Sequence, residues 1–174
     1  MNVNFQQKME DILAQLAGKG EIPTLLLHSC CAPCSSAVLE RLSRHFRMTV
    51  FYYNPNIEPS AEYQKRTAEQ QRFLTLCRDV MPAGFRQGPY DPESFERIAR
   101  GREQEREGGS RCRLCYELRL RRTAETAKRE GFDYFATTLS VSPYKDAQAL
   151  NEIGARLAEE YGVPYLFSDF KKQN

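Results

Sequence analysis

Nowhere in this chain do about 18 apolar residues follow one another, and no basic flank leads into an apolar run at its N-terminus. The first absence excludes a transmembrane helix; the second removes the pattern of a secretory leader, so a cytoplasmic protein without a membrane partner is expected. Internal repeats and low-complexity tracts are also missing, which sets aside repeat and disordered classes. A further absence is local. After the apolar run Thr24 to Leu27, where a nucleotide-hydrolysing α/β enzyme would place glycines to bring backbone amides against phosphate, the chain reads Cys30-Cys31-Ala32-Pro33-Cys34. Pro33 removes one amide donor, so the loop suits sulfur ligation better than a phosphate cradle.

What is present is enough for one core. With 174 residues, 41% hydrophobic and 28% charged, a single domain over residues 1–174 is expected, with an N-terminal helix over 2–17 and an α/β core from about residue 23. Net charge is only +2, yet eleven basic residues face six acidic ones between Arg97 and Glu130. That excess brackets a Cys-x-x-Cys pair and has two readings: a surface for a polyanion such as nucleic acid, or a solvated helical face of i,i+4 ion pairs.

Helical spacing of Phe5, Met9, Ile12, Leu13 and Leu16 gives an amphipathic first helix. Thr24–Leu27 reads as a strand, followed by the cysteine loop and a helix capped by Ser35 or Ser36 that carries Val38, Leu39 and Leu42. Met48–Tyr53 is a second strand ending at Asn54-Pro55-Asn56, and a helix follows from about Ala61 to Cys77. Phe85 marks a third strand, Pro92–Arg106 a helix, and Gly108-Gly109 a break. A basic helix runs from Cys112 or Leu114 to Arg129, then strand-like Tyr134–Leu139, a helix with Leu150, Ile153, Leu157 and Tyr161, and a short strand over Pro164–Phe167. Strands alternating with helices imply an α/β three-layer sandwich with a mainly parallel sheet. Ligands of such sheets bind beyond the carboxyl ends of the strands, where Cys30, Asn54 and Ser140 would emerge together.

Cysteine chemistry is the main functional signal. Cys30, Cys31 and Cys34 form one group and Cys112 and Cys115 another, while Cys77 shares a helix face with Phe73 and Leu74 and reads as a small buried residue. In a reducing compartment such clusters bind metal or do redox chemistry rather than form disulfides. Because Cys30 and Cys31 are adjacent, their side chains are expected to diverge, so that one tetrahedral ion would not easily use both together with Cys34. Five thiols exceed the four that one zinc or one cubane cluster accepts, which points to a second metal position or a reactive thiol. A structural zinc is the plainer alternative.

The run His28-Ser29-Cys30-Cys31-Ala32-Pro33-Cys34, the loop Tyr53-Asn54-Pro55-Asn56-Ile57, the segment Arg111-Cys112-Arg113-Leu114-Cys115-Tyr116, Thr138 to Lys145, and Asp169-Phe170-Lys171-Lys172 together resemble the QueH family of epoxyqueuosine reductases. The likeness covers nearly the whole chain from Thr24. It implies a cobalamin-independent oxidoreductase of queuosine biosynthesis that removes the epoxide oxygen of epoxyqueuosine in tRNA, and a fold related to adenine-nucleotide α-hydrolase-like (Rossmann-like) domains. It also implies a [4Fe-4S] cluster beside a mononuclear iron. By position, Cys112 and Cys115 are cluster ligands, Cys30 and Cys31 are divided between cluster and iron, and Cys34 is the ligand of the second iron. The resemblance further implies a short tail beyond Asp169-Phe170-Lys171-Lys172 with aromatic, basic and cysteine residues, whereas this sequence stops at Asn174.

Deoxygenation needs two electrons, and a cubane cluster passes one at a time, so a second redox metal and an unidentified electron donor complete the count. Tyr53, Tyr144 and Lys145 are the candidate proton donors, Tyr144 and Lys145 the favoured pair; Asn54, Asn56, Arg111, Arg119 and Arg122 are the candidate substrate contacts. Each has a duller reading as a strand end, surface loop, turn residue or solvated charge. His28 reads as a hydrogen-bonded strand end, His45 as surface, and Asp146 as a helix cap. Two rival functions use the same cysteines: a zinc-binding RNA module without redox activity, and a thiol-disulfide oxidoreductase.

Overall fold

The computed structural model describes residues 3–170. An N-terminal helix α1 (Phe5–Lys19) leads to β1 (Thr24–His28), α2 (Ala32–Leu42), β2 (Arg47–Tyr52), α3 (Ser60–Cys77), β3 (Ala83–Gln87), α4 (Pro92–Ala99), α5 (Ser110–Glu130), β4 (Tyr134–Thr137) and α6 (Ala147–Tyr161), with a 3-10 turn at Leu139–Val141. The sheet is parallel throughout, in the order β3-β2-β1-β4. Because both faces of such a sheet are covered by helices, its central strand is apolar without alternation: Leu25, Leu26 and Leu27 are all fully buried.

Two apolar layers flank the sheet. On one face Met9, Leu13 and Leu16 of α1 and Val38, Leu39 and Leu42 of α2 meet Leu25, Leu27 and Val50. On the other, Leu120, Ala124 and Ala127 of α5 and Leu150, Ile153 and Leu157 of α6 meet Leu26, Phe51 and Phe135. The result is the expected three-layer α/β sandwich. No described helix is long and apolar enough to cross a membrane.

Element boundaries depart from expectation for identifiable reasons. Helix α1 starts at Phe5 because the Asn4 side chain accepts from the Gln7 amide at 3.0 Å, and it ends where Gly20 adopts φ +67°. Helix α2 begins at Ala32, three residues before the expected serine cap: Pro33 fits the first turn, where a missing N–H costs nothing, and extended Cys31 takes the cap position. Ser35 instead donates to the Ala32 carbonyl at 2.8 Å. Helix α4 stops at Ala99 rather than Arg106, as Arg100 leaves helical geometry and Gly101 turns to φ +80°. The last expected strand shrinks to a single bridge, Phe135 to Tyr165. There α6 comes so close that a Cβ on Gly154 would lie 2.4 Å from the Tyr165 ring.

All four strands point the same way, so β1, β2 and β4 end on one edge. The chain leaves β1 toward α2 on one face, while β4 lies on the opposite side of β1 and follows α5 on the other. The crevice between the ends of β1 and β4 is thus a topological switch point, the usual ligand position in such sheets.

Candidate metal centre

The cysteine loop is held at this edge by a buried polar scaffold. His28, fully buried, has Nε2 2.9 Å from the Tyr53 carbonyl and Nδ1 3.0 Å from Thr137 Oγ1. A carbonyl can only accept, so Nε2 carries the proton and the threonine hydroxyl donates to Nδ1. Burial, reinforced by the positive charge of Arg119, lowers the His28 pKa to about 4, so the ring is neutral and ties the three strand ends together. Asn54 Nδ2 donates to the Ser29 carbonyl at 2.9 Å. Ser29 Oγ donates to Gln70 Oε1 at 2.7 Å, and Gln70 Nε2 donates to Ser35 Oγ at 2.9 Å. Gln70, on α3 and fully buried, therefore grips the loop on both sides of the cysteines.

Within that frame the Sγ atoms of Cys30, Cys31 and Cys34 all lie within 4.8 Å of one another, and all three thiols are free and part-buried. The expected divergence of Cys30 and Cys31 does not occur. Cys31 is extended at φ −166°, ψ 162°, and the chain turns into α2 immediately after it, which brings its sulfur to 3.9 Å from that of Cys30. Thiolates sharing one tetrahedral ion at about 2.3 Å stand roughly 3.8 Å apart, so Cys30 and Cys31 are close enough to ligate one metal or two neighbouring ones. Sulfhydryl donation from Cys31 and Cys34, with help from Thr138, drives the Cys30 pKa far down; the two donors are pushed up in return. Thr138 supports Cys30 twice, its Oγ1 lying 3.3 Å from the Cys30 amide and 3.6 Å from the Cys30 sulfur.

Cys112 and Cys115 sit in the first two turns of α5. The Gly108 amide points at the Cys112 sulfur at 3.4 Å, the contact expected of a thiolate ligand. Both cysteines line a cleft of about 320 Å³ with Asn56, Phe95, Glu107, Arg111, Tyr116, Arg119 and Lys145. Cys30 and Cys112 abut the same apolar cluster beneath α5, while the tight sulfur trio does not include the α5 pair.

The other expected site residues separate into groups. Asn56, Arg111, Arg119 and Lys145 line the cleft; Lys145 Nζ is 3.2 Å from Glu107 Oε1. Tyr144 is 77% exposed and does not line it. Asn54 is buried as a loop brace. Arg122 lies over the Tyr53 ring at 5.0 Å and 3.9 Å from Asp91, while burial raises the Tyr53 phenol. Arg119 is no solvated charge: it is only 4% exposed. Cys77 ends α3 part-buried, and Asp146 caps α6 by accepting from the Ala149 amide at 3.1 Å. Asp169 is buried; Lys171 and Lys172 lie outside the described residues.

Much of the basic run is internally paired: Arg121 with Glu117 and Glu160, Arg113 with Asp146, and Arg111 against the Glu103 and Glu105 carbonyls. Sequence reasoning missed Gln70, Thr138 and Tyr116 as site residues. Thr138 was within reach as the first residue after a strand end; a glutamine and a tyrosine inside helices carry no such mark.

Comparison with known proteins identifies a family. The family model described as "Epoxyqueuosine reductase QueH" matches residues 25–174, which include both cysteine groups and every cleft residue named above. A protein of that name from Staphylococcus epidermidis is 39% identical, the match spanning 98% of this chain and 73% of that one. One from Streptococcus pyogenes is 38% identical over 99% of this chain and 68% of its own length, and one from Haemophilus influenzae 41% identical over 86% and 60%. A family match reaching from β1 past the last helix, over a parallel sheet with free thiols at its switch point, places the chain in the epoxyqueuosine reductase QueH family.

Proposed function

We propose that this chain reduces epoxyqueuosine carried in tRNA to queuosine, taking electrons from a separate donor protein or small reductant. The observation that carries the reading is the trio of free sulfurs within 4.8 Å at the mouth of the sheet; a second cysteine pair opens α5, and Cys30 and Cys112 border the same apolar cluster. Removing the epoxide oxygen as water takes two electrons and two protons. The residues present fit an iron–sulfur centre: an all-thiol donor set, helix N-termini behind both groups, and an amide aimed at the Cys112 sulfur. Cys112 and Cys115 would hold a [4Fe-4S] cluster with part of the Cys30–Cys31 pair, and Cys34 with the remainder a mononuclear iron. When bound, such a centre supplies single electrons at low potential and a Lewis-acidic site.

The chain's own residues do the rest. The cleft bordered by Asn56, Phe95 and Tyr116, about 320 Å³, receives the modified side chain of the base. The Asn56 amide, exposed at the rim, is placed to hydrogen-bond the ligand's hydroxyls. Lys145 Nζ, on the cleft wall 3.2 Å from Glu107 Oε1, is better placed than solvent-facing Tyr144 to deliver a proton. Arg111 and Arg122, both part-exposed on α5, serve the tRNA backbone.

Anaerobic purification and assay test this reading. The expected result is brown protein with about four to five irons per chain, broad absorption near about 400 nm, and conversion of epoxyqueuosine to queuosine detected by nucleoside mass spectrometry. Colourless protein with stoichiometric zinc, or unchanged substrate with a fully loaded centre, refutes it.

A further inference from the structure

Arg119 is the feature of the cleft that substrate binding leaves unused. It lies on α5 one turn beyond Cys115 and two beyond Cys112, on the same helix face, and lines the same cleft. Only 4% of it is exposed. Its Nε donates to the Cys115 carbonyl at 3.4 Å; among the described residues no other hydrogen bond reaches the guanidinium and no carboxylate comes within ion-pair range. Its charge is felt nearby, for it helps to hold His28 neutral.

A buried cation without a partner is costly, and arginine cannot escape by losing its proton. The cleft does not supply the missing anion, because its other charged side chains are Arg111, Lys145 and Glu107, and Glu107 already faces Lys145. A site with this surplus of positive charge is built for a negative occupant. Depth decides which. Phosphates of tRNA are hydrated and run along the outside of the ligand, where part-exposed arginines reach them; a guanidinium at the base of the cleft does not. Thiolates holding iron at Cys112 and Cys115 are anionic and share its helix face.

We propose that Arg119 is the counter-charge of the iron–sulfur centre at Cys112 and Cys115, a positioning residue that raises the centre's reduction potential rather than a contact to tRNA. A fixed cation in a low-dielectric site stabilises the reduced form, which carries one more negative charge, more than the oxidised form. The inference rests on the iron–sulfur reading above.

The test compares the parent chain with Arg119→Gln and Arg119→Lys, purified anaerobically, by iron content, an EPR-monitored redox titration and tRNA binding. At a poise where half of the parent's clusters are reduced, Arg119→Gln is expected to show an about tenfold lower reduced-to-oxidised ratio, equivalent to about 59 mV for one electron. Arg119→Lys, which keeps the charge, should stay near the parent, and tRNA affinity should be unchanged in both. If Arg119→Gln fails to fold, Arg119→Met, which keeps the apolar stem, carries the same comparison. An unchanged potential, an equal shift in the lysine variant, or a loss of tRNA affinity without a change in potential overturns the inference while leaving the proposed function standing. A parent chain without an iron–sulfur centre removes both.

Discussion

Replacing Gln70 by leucine probes whether the cysteine loop is braced from α3. The side chain is fully buried and makes two neutral hydrogen bonds, accepting from Ser29 Oγ at 2.7 Å and donating to Ser35 Oγ at 2.9 Å. Leucine matches glutamine in size, so cavity formation contributes little. Neither serine is orphaned: Ser29 Oγ already lies 3.1 Å from the Cys31 carbonyl, and Ser35 Oγ donates to the Ala32 carbonyl at 2.8 Å. The cost is therefore close to two net hydrogen bonds, about 2 kcal/mol, rather than the larger penalty of stranded donors. For a chain of this size that lowers the melting temperature by about 4–8 °C. Because Ser29 and Ser35 flank the three cysteines, the loop also loses its anchor, and iron retained after desalting should fall. Thermal unfolding by circular dichroism and iron per chain are the two readouts. An unchanged melting temperature refutes the energetic reasoning; a lowered one with full iron shows that α3 does not set the sulfur positions.

Three further outcomes follow from other contacts. Gly154→Ala would ordinarily gain about 1 kcal/mol in a helix, but its Cβ would meet the Tyr165 ring at 2.4 Å, so thermal melting should show destabilisation. Cys34→Ser should lower bound iron, whereas Cys77→Ser, at the end of α3 and outside the sulfur trio, should leave it near the parent value by metal analysis. Glu117 is held below the ordinary carboxylate value of 4.5 by Arg156 at 2.7 Å and then Arg121 at 3.3 Å. Its unfolded form thus takes up a proton first, and its stabilisation, complete above about pH 5, is lost as acid reaches the lowered folded value; Glu117→Gln should flatten the melting temperature between about pH 5 and pH 3, and an unaltered slope would remove the assignment.

Much of the architecture is legible in the sequence because burial on both faces leaves a strong mark. The unbroken Leu25-Leu26-Leu27 run and the helical spacing of Met9, Leu13 and Leu16 needed no tertiary information. The position of the site was equally accessible, since parallel strands deliver Cys30, Asn54 and Ser140 to one edge. What escaped depended on backbone direction or on distant partners. Whether adjacent cysteines diverge is decided by the extended backbone at Cys31, and the start of α2 by Pro33 seated in its first turn. Arg119 looked solvated because its helix is dense in charge; only the packing of α5 onto the sheet reveals which side of the helix it occupies. Gln70 reads as one more polar residue of an exposed helix until Ser29 and Ser35 close on it.

The two cysteine groups belong to helices on opposite sides of the sheet, each of which packs through its own apolar layer. Cys30 and Cys112 pack only against the outside of one of these layers, and both layers are built mainly of aliphatic and aromatic side chains. Oxidative stripping of the centre should accordingly leave a compact chain able to be reloaded, so damage by oxygen would be a matter of repair and not of resynthesis.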